Sequence, residues 1–296
     1  MTGPAASIVA QAKLNLHLKV LSREESGFHS IETIFHRIDL GDDISVHVTD
    51  GFRSIDVEGA DLGAAESNLA FRAAAAYAVR AGWPRGFQIE LSKRVPVGAG
   101  MGGGSADAAA VLRALDSLAP IPMGAHALME IAASLGADVP FLASNAVMAL
   151  AWGRGERVLA LPPLPRQDVI LMTPEFSVST ADAYAWLDDD WRGGRPSPAE
   201  TSFLTNVAHL AGWNGIADFA HNDFEAAVVA RHPELAAMLA RLRNSRAIFS
   251  GMTGSGSTLF GIFDGPVDFA KVPAEHLPRV RSTTSAIDVV QPLRIE

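Results

Sequence analysis

Pro96-Val97-Gly98-Ala99-Gly100-Met101-Gly102-Gly103-Gly104-Ser105-Ala106 places five glycines in seven positions, between a segment of strand period and one of helical composition. Glycines in this density let successive backbone N–H groups turn inward without Cβ clashes, and the start of a helix adds partial positive charge. That combination binds phosphate. The preceding segment, Phe87–Val95, alternates Phe87, Ile89 and Leu91 with Gln88, Glu90 and Ser92, so it reads as a strand with one wet face. Ala106–Leu118 reads as a helix. A bare tight turn rarely needs so many glycines. Gly98, Gly100 and Gly103 satisfy G-x-G-x-x-G, but a dinucleotide fold wants a buried apolar strand ahead of the loop and another strand after the helix. No Lys-Ser or Lys-Thr pair follows the glycines, so the Walker pattern fails too. What stays is a nucleotide triphosphate loop of another kind, and Gly103→Val is expected to crowd the phosphates.

Outward from the loop, Ser7–Val20 alternates Ile8, Ala10, Ala12, Leu14, Leu16 and Leu18 with mostly polar partners, which sets Lys13, Asn15 and His17 on the opposite face of a strand. Glu32–Leu40 and Asp43–Thr49 read as two further strands separated by Gly41, and together the three predict an antiparallel sheet. Asn68 to Ala81 reads as a helix with Ser67 or Asn68 as its cap and Gly82 and Pro84 at its end. Ala125–Leu135 is a shorter helix stopped by Gly136. Pro162, Pro163 and Pro165 follow Leu161, and a domain boundary is placed there, giving 1–160 and 161–296. The second half reads as a strand at Val169–Thr173, helices around Ala181–Leu187, Phe224–Ala230 and Glu234–Arg243, and strands at Ala247–Ser250 and Ser257–Phe263 around the turn Gly251–Gly256. Asp188–Ala199 reads as a loop.

With 296 residues, 48% hydrophobic and 19% charged, the chain suits two packed domains better than one. A net charge of −9 and the absence of basic runs argue against nucleic acid and anionic membranes as partners. A few N–H groups and a lysine still suffice for a nucleotide at short range. There is no cysteine, hence no disulfide or thiolate metal site. No signal peptide or long apolar span is visible, and a cytoplasmic monomer or weak homodimer is expected.

The loop resembles the second motif of the GHMP kinases, the superfamily of galactokinase, homoserine kinase and mevalonate kinase. Ala12-Lys13-Leu14-Asn15-Leu16 and Gly251-Met252-Thr253-Gly254-Ser255-Gly256 resemble its other two motifs, in the same order. Gly27-Phe28-His29-Ser30-Ile31-Glu32-Thr33 and Gly136-Ala137-Asp138-Val139-Pro140-Phe141 are similar to stretches of one branch, the 4-diphosphocytidyl-2-C-methyl-D-erythritol kinases of the non-mevalonate isoprenoid pathway. The resemblance implies an α+β, two-domain GHMP kinase fold, with a ribosomal protein S5 domain 2-like N-terminal domain and a ferredoxin-like C-terminal domain. It implies ATP as phosphoryl donor, a small cytidine-diphosphate-linked acceptor and transfer to the acceptor's 2-hydroxyl.

It also implies roles. Asp138 is the base and Lys13 offsets the charge of the moving phosphoryl; without the resemblance, the two would read as a surface salt bridge. Pro96–Ala106 wraps the phosphates, Ser105 offers a hydroxyl to phosphate or magnesium, and Ala106 stands where the family commonly has serine. Asn68 lies near the adenine, although an N-cap role accounts for it equally. For the acceptor the residues are Asn15, Phe28, His29, Thr180 and Tyr184, with two aromatic faces clamping the base. Phe28 replaces the family tyrosine, so the ring stays and the hydroxyl is lost. The nine histidines form no compact ligand set, so no protein-held metal is expected and Mg²⁺ arrives with ATP. Mevalonate or homoserine kinase activity is the nearest rival, opposed by Gly27-Phe28-His29; a non-catalytic nucleotide-binding protein is the other, opposed by Lys13 and Asp138.

Overall fold

The computed structural model describes residues 3–25, 27–193, 207–267 and 280–295. The chain opens on two long antiparallel strands, β1 (Ala5–Arg23) and β2 (His29–Thr49). Gly41 does not end a strand: β2 runs straight through it. A Cβ there would lie 2.7 Å from the Ala10 carbonyl oxygen, so this glycine permits close approach of β1 where a turn was expected. The two strands slip register between Gln11 and Lys13 and again between Asn15 and His17. Such irregularities re-aim side chains, and here they flank Lys13 and Asn15.

β3 (Arg53–Glu58) and β4 (Gly86–Ser92) pair in parallel, and β4 also pairs with the second half of β2. The first half of β2 takes β5 (Met148–Gly153), which is followed by β6 (Arg157–Leu161). Three helices, α1 (Leu69–Ala81), α2 (Gly103–Leu118) and α3 (Ala125–Leu135), contribute to the core against this sheet around Phe35, Ile44, Phe87 and Ile89. In α2, Ala106, Ala108, Ala109 and Ala110 are all buried; short side chains let α1 and the sheet approach its backbone. The helix begins three residues earlier than expected, at Gly103, so the end of the glycine loop is itself the first helical turn. A short helix missed in the sequence, α4 (Val139–Ala143), has Asp138 as its N-cap residue.

The second half builds a four-stranded antiparallel sheet from β7 (Asp168–Met172), β8 (Phe249–Met252), β9 (Leu259–Phe263) and β10 (Val280–Thr284). Their spatial order is β10-β7-β9-β8, the fourth-first-third-second order of a ferredoxin-like sheet. α5 (Thr180–Arg192), α6 (Trp213–Ala217), α7 (Asp223–Arg231) and α8 (Glu234–Asn244) accompany it. The expected loop from Asp188 is helical as far as Arg192, because Ser179 caps α5 and its apolar face, Ala183 and Leu187, is buried; 194–199 lie outside the described residues. The last strand, β11 (Leu293–Ile295), returns to pair with β1. Residues 1–160 and 161–296 remain proposed as the two units, with this strand added to the first sheet. Leu14, Leu16, Ile34 and Ile38 share one buried cluster with Val169, Leu171, Phe260 and Ile262, so the face of the first sheet opposite α2 is covered by the second. Among the described residues no helix is long and apolar enough to cross a membrane.

Candidate active site

The glycine loop, the β1 lysine and the α4 aspartate meet in one cleft of about 1750 Å³, lined also by α5 and by the turn after β8. Gly98, Gly100 and Gly102 have φ of +68°, +79° and +69°, while Ala99 and Met101 between them are buried. The alternation keeps the side chains in the core and the backbone toward the cleft. Gly100 is also a buttress: a Cβ on it would lie 2.2 Å from the Thr253 carbonyl oxygen, and one on Gly254 would lie 2.7 Å from the Gly100 oxygen. Two glycine turns far apart in sequence therefore pack backbone to backbone. Asn222 holds the second of them, donating from Nδ2 to the carbonyls of Met252 at 2.6 Å and Gly254 at 2.9 Å.

The N–H groups of Gly103, Gly104 and Ser105 open α2 and have no helical acceptor, whereas Ala106 N–H already donates to the Gly102 carbonyl. Gly104 is the open position, since a Cβ there would meet nothing within 4 Å. Gly103 faces inward instead, its Cβ position 3.1 Å from Val95 Cγ1, so the expected crowding of phosphates by Gly103→Val is misplaced; that change strikes the core. Ala106 likewise departs from expectation. It is 2% exposed, packs in the α2 core and does not line the cleft.

Lys13 is buried, and its ammonium has three oriented partners: Asn15 Oδ1 at 2.5 Å, the Gly100 carbonyl at 3.1 Å and Asp138 Oδ2 at 3.4 Å. A buried ammonium needs such company. Asn15 is fixed in turn, donating from Nδ2 to Thr33 Oγ1 at 2.8 Å, while its backbone N–H donates to Thr253 Oγ1 at 3.0 Å. Asp138 stands at an N-cap position yet makes no capping bond. Its side chain is 29% exposed and turned to Lys13 and the cleft. A Cβ on Gly102 would lie 3.0 Å from Lys13 Cε and 3.3 Å from Asp138 Oδ2, which places the pair directly against the loop.

At the other end of the cleft His29 stacks on Tyr184, ring centroids 4.4 Å apart, and its Nε2 lies 2.9 Å from Asp188 Oδ1. Burial, with the Asp138 charge second, pushes the Tyr184 hydroxyl up to about 12. Thr180 Oγ1 is 3.1 Å from Ser255 Oγ, at the second glycine turn. Phe28 is exposed, and the Arg154 guanidinium lies 3.9 Å over its ring, held there by Glu24. One face of each expected clamp ring is thus taken, by His29 and by Arg154. Asn68 caps α1 by accepting from Ala70 N–H at 2.9 Å and also lines the cleft, so both readings of it are compatible with its place.

Several residues here escaped the sequence reading. Asp188 lies on α5 and not in a loop, and Thr180, Tyr184 and Asp188 recur at four-residue spacing, the mark of one helix face. Lys93, just ahead of the loop, is buried between Asp42 Oδ2 at 2.5 Å and Asp107 Oδ2 at 2.8 Å. Burial alone would lower its pKa, but the two carboxylates outweigh this and raise it. Burial pushes Asp107 up to about 7 against the pull of Lys93, since two carboxylates share one ammonium and Asp107 Oδ1 is left without a partner. Asp42 Oδ1 accepts from the N–H groups of Arg94 and Val95, so this triad anchors the entry to the glycine loop. Among the described residues no group of three or more His, Cys, Asp or Glu is arranged to hold a metal ion.

Comparison with known proteins agrees with this geometry. The GHMP kinases N terminal domain matches residues 68–146 and the GHMP kinases C terminal domain matches residues 206–276. The chain is 38% identical to 4-diphosphocytidyl-2-C-methyl-D-erythritol kinase of Pelotomaculum thermopropionicum, over 86% of this chain and 88% of that one. It is 38% identical to the enzyme of the same name from Ruegeria pomeroyi, over 93% and 95% of the two chains. A crystal structure of 4-(cytidine 5'-diphospho)-2C-methyl-D-erythritol kinase superposes with a TM-score of 0.77 at 35% identity, covering 94% of this chain and 98% of that one. Homoserine kinase from Cytophaga hutchinsonii, with a TM-score of 0.66 at 20% identity over 98% and 97% of the two chains, shares the fold. On the sequence likeness and the shared architecture together, the chain is a kinase that belongs to the 4-diphosphocytidyl-2-C-methyl-D-erythritol kinase family of the GHMP kinases.

Proposed function

We propose that the cleft transfers the γ-phosphoryl of ATP to the 2-hydroxyl of 4-diphosphocytidyl-2-C-methyl-D-erythritol, with Asp138 as general base and Lys13 assisting. The observation that carries this is the placement of Asp138 Oδ2 3.4 Å from the Lys13 ammonium, both against Gly102 of the glycine loop. Phosphoryl transfer asks for position and charge stabilisation, with a base in reach of the attacking hydroxyl. An aspartate whose oxygens are not spent on capping its own helix is available for that proton. Lys13, held by Asn15 and Gly100, presents fixed positive charge where negative charge shifts between donor and acceptor.

The nucleotide side is Asn68 and Pro96–Ser105. The free N–H groups of Gly103, Gly104 and Ser105, with open space at Gly104, fit phosphate oxygens. The Ser105 hydroxyl beside them suits a Mg²⁺ that takes most of its ligands from ATP, where it would neutralise phosphate charge. The acceptor side is Asn15, Phe28, His29, Thr180 and Tyr184, and a cytidine ring would stack among these aromatics with His29 held by Asp188.

Asp138→Asn preserves the shape of the side chain and removes the base. The variant is expected to bind a non-hydrolysable ATP analogue with unchanged affinity by calorimetry while kcat falls ~10²-fold or more. An unaltered kcat removes Asp138 from the mechanism.

A further inference from the structure

Arg37, on β2, is 2% exposed, yet all four of its side-chain hydrogen bonds go to main-chain carbonyls. Nε donates to Ala146 at 2.9 Å, and Nη2 donates to Phe141 at 3.0 Å, Leu142 at 2.9 Å and Ser144 at 3.1 Å. Among the described residues no carboxylate pairs with it. Burial, with Arg113 a lesser cause, lowers its pKa to about 9, which leaves it charged at neutral pH. For stability alone this is a poor arrangement, because an apolar side chain of similar volume would fill the site without desolvating a cation. The planar fork of the guanidinium does something an apolar chain cannot: it gathers several carbonyls at once.

Those carbonyls belong to the C-terminal end of α4 and the segment just after it, and α4 begins at Asp138. A five-residue helix has almost no cooperative stability of its own, so its position is set by the packing of its five buried residues and by whatever holds its ends. Asp138 does not cap the N-terminal end, and Arg37 grips the other. Arg37 is also the cross-strand register partner of Lys13. A second line of contacts runs in parallel. The Arg37 guanidinium lies 5.1 Å from the Phe141 ring centroid, Phe141 stacks on Phe35 at 5.1 Å, and the Lys13 ammonium lies 5.3 Å from the Phe35 centroid.

We infer that Arg37 is a positioning residue for phosphoryl transfer, clamping the carbonyls of α4 so that Asp138 is held at its working separation from Lys13. The inference rests on the reading of Asp138 as base. It separates two jobs that a core residue usually merges, since the glycine loop is supported by Thr253 and Lys13 and does not touch Arg37.

The test is Arg37→Lys, which keeps the charge and loses the fork, and Arg37→Gln, which keeps amide donors and loses the charge, with Asp138→Asn measured alongside. For the folded variants the expected result is wild-type affinity for a non-hydrolysable ATP analogue, wild-type KM for the acceptor and kcat lower by ~10- to 10²-fold, as for a reacting group displaced by ~1 Å. Lowered thermal stability with kcat within about twofold of wild type would overturn the inference, for Arg37 would then serve the fold alone. If Asp138→Asn is inactive and the Arg37 variants are not impaired, only the Arg37 inference fails; if Asp138→Asn keeps its kcat, the base reading fails first. Should neither of these variants fold, Arg37→Met, whose apolar chain fills the site without a buried charge and makes none of the carbonyl bonds, is read the same way: a selective loss of kcat supports the inference and an unchanged kcat overturns it.

Discussion

Gly104→Ala is expected to make the protein more stable and a worse binder of ATP. The position is the second residue of α2, lines the cleft, and has nothing within 4 Å of where a Cβ would stand. Alanine in place of helical glycine restricts the unfolded chain and contributes ~0.5–1 kcal/mol, or a rise of ~1–3 °C in Tm for a protein of this size. The same methyl occupies the space above the free N–H groups of the first helical turn. A phosphate oxygen resting on those groups would be pushed back by ~1 Å, weakening charge-assisted hydrogen bonds worth ~1.5–3 kcal/mol, so affinity should fall ~10- to 10²-fold. Differential scanning fluorimetry and titration calorimetry with a non-hydrolysable ATP analogue measure the two effects on one preparation. Gly100→Ala is the contrast. Its Cβ would lie 2.2 Å from the Thr253 oxygen at a φ of +79°, so the two glycine turns must separate. The left-handed backbone alone costs ~1–2 kcal/mol and the clash adds to it, lowering Tm. A stable Gly104→Ala with wild-type nucleotide affinity would refute the reasoning, because the phosphates would then lie elsewhere.

Two further expectations follow from buried rings. His36 is fully enclosed, with Nδ1 on the Arg37 carbonyl at 2.7 Å, and burial lowers its pKa to about 4. The unfolded chain therefore takes up a proton near pH 6.5 that the native state refuses, and stability is lost as pH falls from there toward 4; urea unfolding should show wild type losing up to ~3 kcal/mol relative to His36→Gln across that window, and parallel curves would contradict it. Tyr184→Phe keeps the ring on His29 and should leave acceptor KM within about twofold, whereas Tyr184→Ala should raise it ~10-fold with the KM for ATP unchanged; equal effects of the two would show that the ring face is not used.

What could be read from the sequence was local. The glycine loop, the strand faces that carry Lys13 and Asn15, and the helix with Asn68 at its start all declare themselves in period and composition, and the structure has them in place. What could not be read was made by contacts distant along the chain. Gly41 looks like a break until Ala10 is seen against it, and Gly103 looks open to a larger side chain until Val95 is seen behind it. Asp188 joins His29 across 159 positions, a pairing that no local pattern contains. Arg37 reads as one charged residue in a strand, and only the fold shows it beneath α4. Family resemblance points to the roles proposed for Asp138 and Lys13; geometry gives their separation and the residues that hold them.

The central claim is most directly tested by ADP release from ATP with each of three acceptors in turn: 4-diphosphocytidyl-2-C-methyl-D-erythritol, mevalonate and homoserine. Turnover with the cytidine compound alone is the predicted result, because in the proposed reading only that acceptor would use the His29 and Tyr184 end of the cleft as well as Asp138. Turnover of mevalonate or homoserine without turnover of the cytidine compound would contradict the account.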